Sequence, residues 1–197
     1  GLDRVGFDNA VYMSERDTGF NNYALAHFMR ARKPFGQLSP SQVHDNLLFY
    51  FQCCSLTIDV RSASILAALL ANGGVSPFAG TGGEHKRHFE ERHVSSAIQL
   101  MFSCGMYNHS GSWACTVGLP AKSGVSGLIL VVVPNVMGIA VLSPPLDAMG
   151  NSVRGVQLCE WMAEEFKLNV FTQLLGSDKC KHRKFLARNA QKNKKGN

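Results

Sequence analysis

The run GLILVVV at residues 127–133, closed by Pro134, constrains the fold more than any other stretch. It is far shorter than the roughly 18 apolar residues that cross a bilayer. Its β-branched content suits a pleated strand better than a helix. A second run of the same kind, residues 137–142, follows the turn signal Pro134-Asn135, and a third, residues 113–118, precedes Pro120. Three short runs separated by turn residues predict three consecutive antiparallel strands.

The first half has a different period. Tyr23, Ala24, Ala26, His27 and Phe28 open a helical pattern that stops near Lys33-Pro34, and Asn21-Asn22 read as its cap. Ser39-Pro40-Ser41 restarts a helix with Val43, Leu47, Leu48 and Phe51 at helical spacing. SASILAALLA at residues 62–71 is a third helix, stopped by Asn72-Gly73-Gly74. Residues 78–93 read as a polar insertion with three glycines, and residues 95–104 as a fourth helix. Residues 151–166 carry Val153, Val156, Leu158, Trp161, Met162 and Phe166 on a closing amphipathic helix behind Asn151-Ser152, a natural N-cap. Helices, then a meander, then a helix define an α+β class. One helix cannot cover such a meander, which should leave an edge and a face bare. The body is therefore expected to be the C-terminal part of a larger domain. The chain opens Gly-Leu-Asp-Arg-Val without a signal peptide and is expected not to be secreted.

Net charge of +6 suggests nucleic acid, but its distribution argues otherwise. Eight Lys/Arg against one acid lie in residues 178–197, which leaves the other 177 residues at −1. The basic character belongs to a solvated tail, and neither nucleic acid nor a membrane is expected as a partner. Cys53, Cys54, Cys104, Cys115, Cys159 and Cys180 show no C-x-x-C pair, and adjacent Cys53-Cys54 read as buried thiols in a reducing compartment. His85, His88 and His93 sit among basic residues and glycines, so no metal site is expected.

Lys122-Ser123-Gly124, placed between two predicted strands, is the strongest local signal. A K-[ST]-G box at a strand is the third element of the serine penicillin-binding and β-lactamase plan. Its partner should be S-x-x-K, a Ser nucleophile with a Lys one helical turn on. No Lys of these 197 residues has a Ser three positions before it. Residues 12–19 read, on composition, as a polar connector with a salt bridge. Tyr50 and Tyr107 each end an apolar stretch, where a tyrosine usually has its hydroxyl satisfied.

Six segments in order resemble the serine-dependent glutaminases, a family with a β-lactamase/penicillin-binding-protein-like fold. They are SERDTGFNNYALAHFMR (14–30), FYFQCCS (49–55), LANGG (70–74), SCGMY (103–107), VGLPAKSGVSG (117–127) and VVVPNVMGIAVLSPPLDAMGNSVRG (131–155). GMYNHSG and PNVMG resemble the animal-type members more than the bacterial ones. The resemblance implies that residues 1–176 are the C-terminal portion of a glutaminase catalytic domain and residues 177–197 a basic, disordered tail. It implies hydrolysis of L-glutamine to L-glutamate and ammonia through an acyl-serine, with no cofactor. Glu15 and Asn22 match substrate-contacting positions, the carboxylate serving the α-ammonium; Tyr50 matches another substrate-binding position. Tyr107 matches the tyrosine beside the nucleophile, a proton shuttle. Val125 matches the position whose backbone N–H completes the oxyanion hole, and Lys122, Ser123 and Gly124 form the supporting box. A homotetramer and a mitochondrial location, otherwise cytosolic, are implied as well. Leu128 departs from the family's usual glycine. The segment alone is expected to be inactive, and the alternative is a nucleophile-less binding or assembly subunit.

Overall fold

In the first of two compact units, which ends at Ser62, strand β1 (Val5–Phe7) pairs antiparallel with β2 (Leu56–Ile58), Gly6 opposite Thr57. The computed structural model describes residues 5–175 except Phe35 and Thr81. Between the two strands run α1 (Asn9–Thr18), α2 (Phe20–Arg32) and α3 (Pro40–Cys54). The expected polar connector is therefore a helix. Asp8 starts it by accepting hydrogen bonds from the backbone N–H groups of Ala10 and Val11 at 2.9 and 3.1 Å. No residue of α1 is buried, which is why apolar periodicity does not reveal it. The expected salt bridge is present, with Arg16 Nε 2.8 Å from Asp17 Oδ1. Asn21 and Asn22 lie inside α2 instead of capping it.

Helix α3 begins as its sequence predicts. Ser39 and Gln42 form a reciprocal capping box, with Pro40 in the first turn. Val43, Leu47 and Phe51, spaced by four, are its buried stripe. Cys53 and Cys54 are exposed, against the expectation of buried thiols, because they occupy the last turn beyond Phe51.

The second unit starts at Ala63, inside α4 (Val60–Ala71). The Asn72-Gly73-Gly74 stop holds: both glycines have positive φ, 62° and 88°, and Gly74 N–H donates to Leu69 O at 2.9 Å. The expected polar insertion is a β-hairpin, β3 (Val75–Ala79) with β4 (His85–Arg87). Alternation is hard to read there because β4 is exposed throughout. Then come α5 (Glu91–Cys104), a 3₁₀ turn (Tyr107–His109), α6 (Ser110–Thr116), β5 (Ala121–Ser123), β6 (Leu128–Val133), β7 (Met137–Leu142), α7 (Val153–Glu165) and α8 (Val170–Leu175).

Three antiparallel strands in the order β5-β6-β7 bear out the meander. Its first member is not residues 113–118, of which α6 and its C-cap occupy all but Gly118. Trp113 and Val117 are four apart and both fully buried, a helical spacing read there as a strand. The expected bare face is also absent. Ile129, Val131 and Val133 pack with Met106, Trp113, Cys159 and Ala163, while Val132 packs with Ala67 and Ala71 on the opposite face. Helices thus cover both sides of β6. At Gly138 the sheet and α4 meet backbone to backbone: a Cβ would overlap Ser64, Ala67 and Ala68. Ser152 caps α7 as expected, accepting from Gly155 N–H at 3.1 Å. The basic tail and Cys180 lie outside the described residues.

Candidate functional site

In the first unit the candidate residues stand on α1, α2 and α3, the last of which carries the fully buried ring of Phe51. Glu15, half-buried, stands in the second half of α1, and Asn22, half-buried, in the first turn of α2. Gly19 forms the corner between these helices, and a Cβ there would press into the Phe51 ring. Asn22 N–H donates to Gly19 O at 2.9 Å, which closes the corner. Tyr23 and Tyr50 lie with ring centroids each 5.8 Å from Phe51. Tyr50, on α3, keeps 49% of its surface exposed, so its side chain remains reachable. Beside Glu15, the hydrogen bond from Arg16 holds the Asp17 carboxyl below its usual range and raises the guanidinium above its own.

Tyr107, Lys122 and Ser123 are brought together in the second unit. Helix α5 ends at Gly105, whose missing side chain is essential: a Cβ would overlap the carbonyl of Ala121. That close approach lets Ser123 N–H donate to Gly105 O at 3.0 Å, fastening the chain before Tyr107 to β5. Tyr107 has φ 52°, in the left-handed region that costs an L-residue roughly 1–2 kcal/mol. Ser110 holds it there, its Oγ accepting from Met106 N–H at 3.0 Å and donating to Tyr107 O at 2.7 Å. The Lys122 ammonium sits 4.7 Å from the centroid of the Tyr107 ring, a cation–π contact, and donates to Ser123 O. Ser123 is buried, and its Oγ has no partner among the described residues.

Past Ser123 the chain turns through Gly124-Val125-Ser126-Gly127, closed by Gly127 N–H donating to Gly124 O at 2.9 Å. Val125 is 69% exposed at its tip. Its backbone N–H has no acceptor among the described residues. Leu128 occupies an ordinary strand position opposite Leu142. Among the described residues no three His, Cys, Asp or Glu gather as a metal site, and no helix is long and apolar enough to cross a membrane.

Sequence reasoning missed the buried support of Tyr107. Gly105, Ser110 and Asn151 all contact its turn, and Asn151 reads from sequence only as part of a helix cap. Its burial, which depends on the loop before α7 folding back to Met106, leaves no local signal.

A K-S-G strand with a tyrosine clamped beside its lysine, in an α+β domain that runs from helices to an antiparallel meander and a closing helix, is consistent with part of a β-lactamase-like glutaminase domain. The family model for glutaminase matches residues 1–171. The chain belongs to the glutaminase family. A glutaminase of Nostoc sp. is 44% identical over 167 residues, 85% of this chain and 47% of its own length. The mitochondrial liver isoform of mouse glutaminase is 43% identical over 174 residues, 88% of this chain and 28% of its own. The crystal structure of Mglu in its glutamate form superposes with a TM-score of 0.72 at 36% identity, over 84% of this chain and 36% of Mglu. The chain thus spans between about a quarter and a half of the length of these relatives.

Proposed function

We propose that this chain, within a longer polypeptide, serves the hydrolysis of L-glutamine to L-glutamate and ammonia through an acyl-serine intermediate. The observation that carries the reading is Tyr107, set in a left-handed turn with the Lys122 ammonium on its ring. A phenol that shuttles a proton needs a fixed position and nearby positive charge to stabilise its anion. Tyr107 exchanges the proton with the nucleophile and leaving amine, and the Val125 N–H donates to the developing oxyanion. Glu15 pairs with the α-ammonium, Asn22 donates to or accepts from the substrate's polar groups, and Tyr50 lines the substrate. Lys122, Ser123 and Gly124 form the supporting box, on the strand to which the chain before Tyr107 is fastened and from which the Val125 turn leaves. Further support is Mglu, solved in a glutamate form, because glutamate is the product of this reaction.

We also propose a homotetrameric, animal-type, mitochondrial enzyme; the mouse and rat liver isoforms support the location. The second reading is a nucleophile-less binding or assembly subunit; both readings are compatible with these 197 residues, in which no Lys follows a Ser by three. Extending the reading frame upstream of Gly1 and assaying the complete protein separates the two. Ammonia release from L-glutamine but not L-asparagine, with S-x-x-K present, is expected; an intact protein without that pair and without turnover supports the second reading.

A further inference from the structure

We infer that Asn151 is a positioning residue for Tyr107, acting through the peptide that joins Met106 to it; this deepens the reading of Tyr107 as the proton shuttle. Asn151 is fully buried, and its Nδ2 donates to Met106 O at 3.3 Å across 45 positions of sequence. Only the nitrogen of the amide can face a carbonyl, so the orientation of the side chain is fixed by chemistry. Its Oδ1 is buried and has no partner among the described residues. An amide buried with its acceptor unmet is a poor stabiliser, because a desolvated acceptor costs more than a net hydrogen bond returns. The purpose of the group therefore lies with its donor.

That donor fixes a peptide plane. The φ of Tyr107 is rotation about its N–Cα bond, so the orientation of the Met106–Tyr107 peptide decides whether Tyr107 is left-handed or relaxed. Asn151 holds the oxygen of this peptide together with His109 N–H, which donates to it at 3.1 Å, while Ser110 holds the flanking N–H and C=O. Without Asn151 only the His109 N–H of the 3₁₀ turn holds that oxygen, and a flip that breaks this one bond carries Tyr107 back to negative φ and moves the phenol away from Lys122. The loop bearing Asn151 is itself tied down. Asp147 Oδ1 accepts from Met149 and Asn151 N–H at 2.8 and 3.0 Å, Asp147 N–H donates to Asn151 O at 2.8 Å, and Ser152 Oγ donates to Ser143 O at 2.7 Å. Gly150 of this loop lies beside the Tyr107 ring, where a Cβ would reach Cδ2 and Cε2 at 3.8 Å. The loop thus supplies both a neighbour for the ring and the anchor for its backbone.

The lysine ε-CH₂ resonances of the complete protein, labelled with ¹³C at Cε, test this without requiring turnover. Lys122 lies over the Tyr107 ring and should show an upfield ring-current shift that Tyr107→Leu abolishes. Asn151→Leu, in a chain that still melts cooperatively, is expected to abolish the shift as well; a retained shift overturns the inference. If that variant does not fold, Asn151→Asp replaces it. Its carboxylate has no donor at neutral pH, so the shift should be lost and should return when acid protonates the group, while a shift retained at neutral pH again overturns the inference. In the complete, active protein, Asn151→Leu should lower kcat tenfold or more with KM changed less than threefold, and should add nothing to Tyr107→Phe. Additive losses would count against action through Tyr107. Absence of glutaminase turnover in the unsubstituted protein refutes the functional reading, and the resonance result still decides the positioning role.

Discussion

Glu15 carries its charge half-buried on a helix with no buried residues, an economical place for a binding carboxylate. If it pairs with the substrate's α-ammonium, Glu15→Gln leaves that charge poorly matched in a partly desolvated site. Removing one member of such a pair costs about 2–5 kcal/mol, so KM should rise at least about thirtyfold while kcat changes less. Steady-state kinetics of Glu15→Gln beside Tyr107→Phe, which should lower kcat with a smaller effect on KM, check both roles. A change under about twofold for Glu15→Gln would leave this residue as a solvated helix charge. Cys159 offers a second test at this scale. Burial among Ile129, Trp113 and Ala163 raises its thiol from the usual 9.0 to about 12, with the nearby Glu160 charge adding to the effect. The folded state therefore keeps a proton that the unfolded chain releases. Stability from this group is complete below pH 9 and declines between pH 9 and 12, by up to about 1.4 kcal/mol per pH unit. Thermal melts across that window should lose part of their slope in Cys159→Ala, whose stability is below the parent's under pH 9 and approaches it as the pH rises towards 12.

Helix α4 and strand β7 meet at a place where the sequence allows no side chain. Gly138→Ala would drive a methyl into the backbone of Ser64, Ala67 and Ala68, and none of these atoms belongs to a flexible side chain. The sheet and helix must separate, at a cost of about 3 kcal/mol. Denaturant unfolding should show this as a lower midpoint at unchanged slope, and a loss below 1 kcal/mol would show that the contact is loose. The elements legible in the sequence are those whose apolar residues face one way: Val43, Leu47 and Phe51 on α3, alternate Ile129, Val131 and Val133 on β6, and the Asn-Gly-Gly stop after α4. Elements without a buried face were not legible. Helix α1 buries nothing and shows itself only through the Asp8 cap, and β4 is wholly exposed. Helix α6 failed for another reason. Its seven residues and C-cap hold one helical repeat, Trp113 to Val117, too few to distinguish a period of 3.6 from one of two. At the site, the K-S-G box and Tyr107 stood out as residue types, whereas Asn151 acts at Met106 across 45 positions that no local pattern spans.

At the scale of the whole chain, charge and chemistry separate along the sequence. Residues 1–177 carry −1 while residues 178–197 carry +7 of the +6 total, so the basic pI of about 9.1 reflects the tail. The candidate groups for substrate and oxyanion all lie in the near-neutral part, which fits a zwitterionic substrate better than a polyanion. What these 197 residues do not contain is a Ser three positions before any Lys. Removing nucleophile and base from a serine hydrolase leaves only the binding and oxyanion contributions, a small remnant of the full rate enhancement. The 197-residue chain, purified and supplied with L-glutamine, is therefore expected to release ammonia no faster than the buffer. Covalent linkage to a segment bearing S-x-x-K should restore turnover, and Tyr107→Phe should remove most of what is restored. Ammonia release by the 197 residues alone, abolished by Tyr107→Phe, would place an unrecognised nucleophile within them. The first position to examine would then be Ser123, buried on the K-S-G strand beside the Lys122–Tyr107 pair with its hydroxyl unpartnered among the described residues.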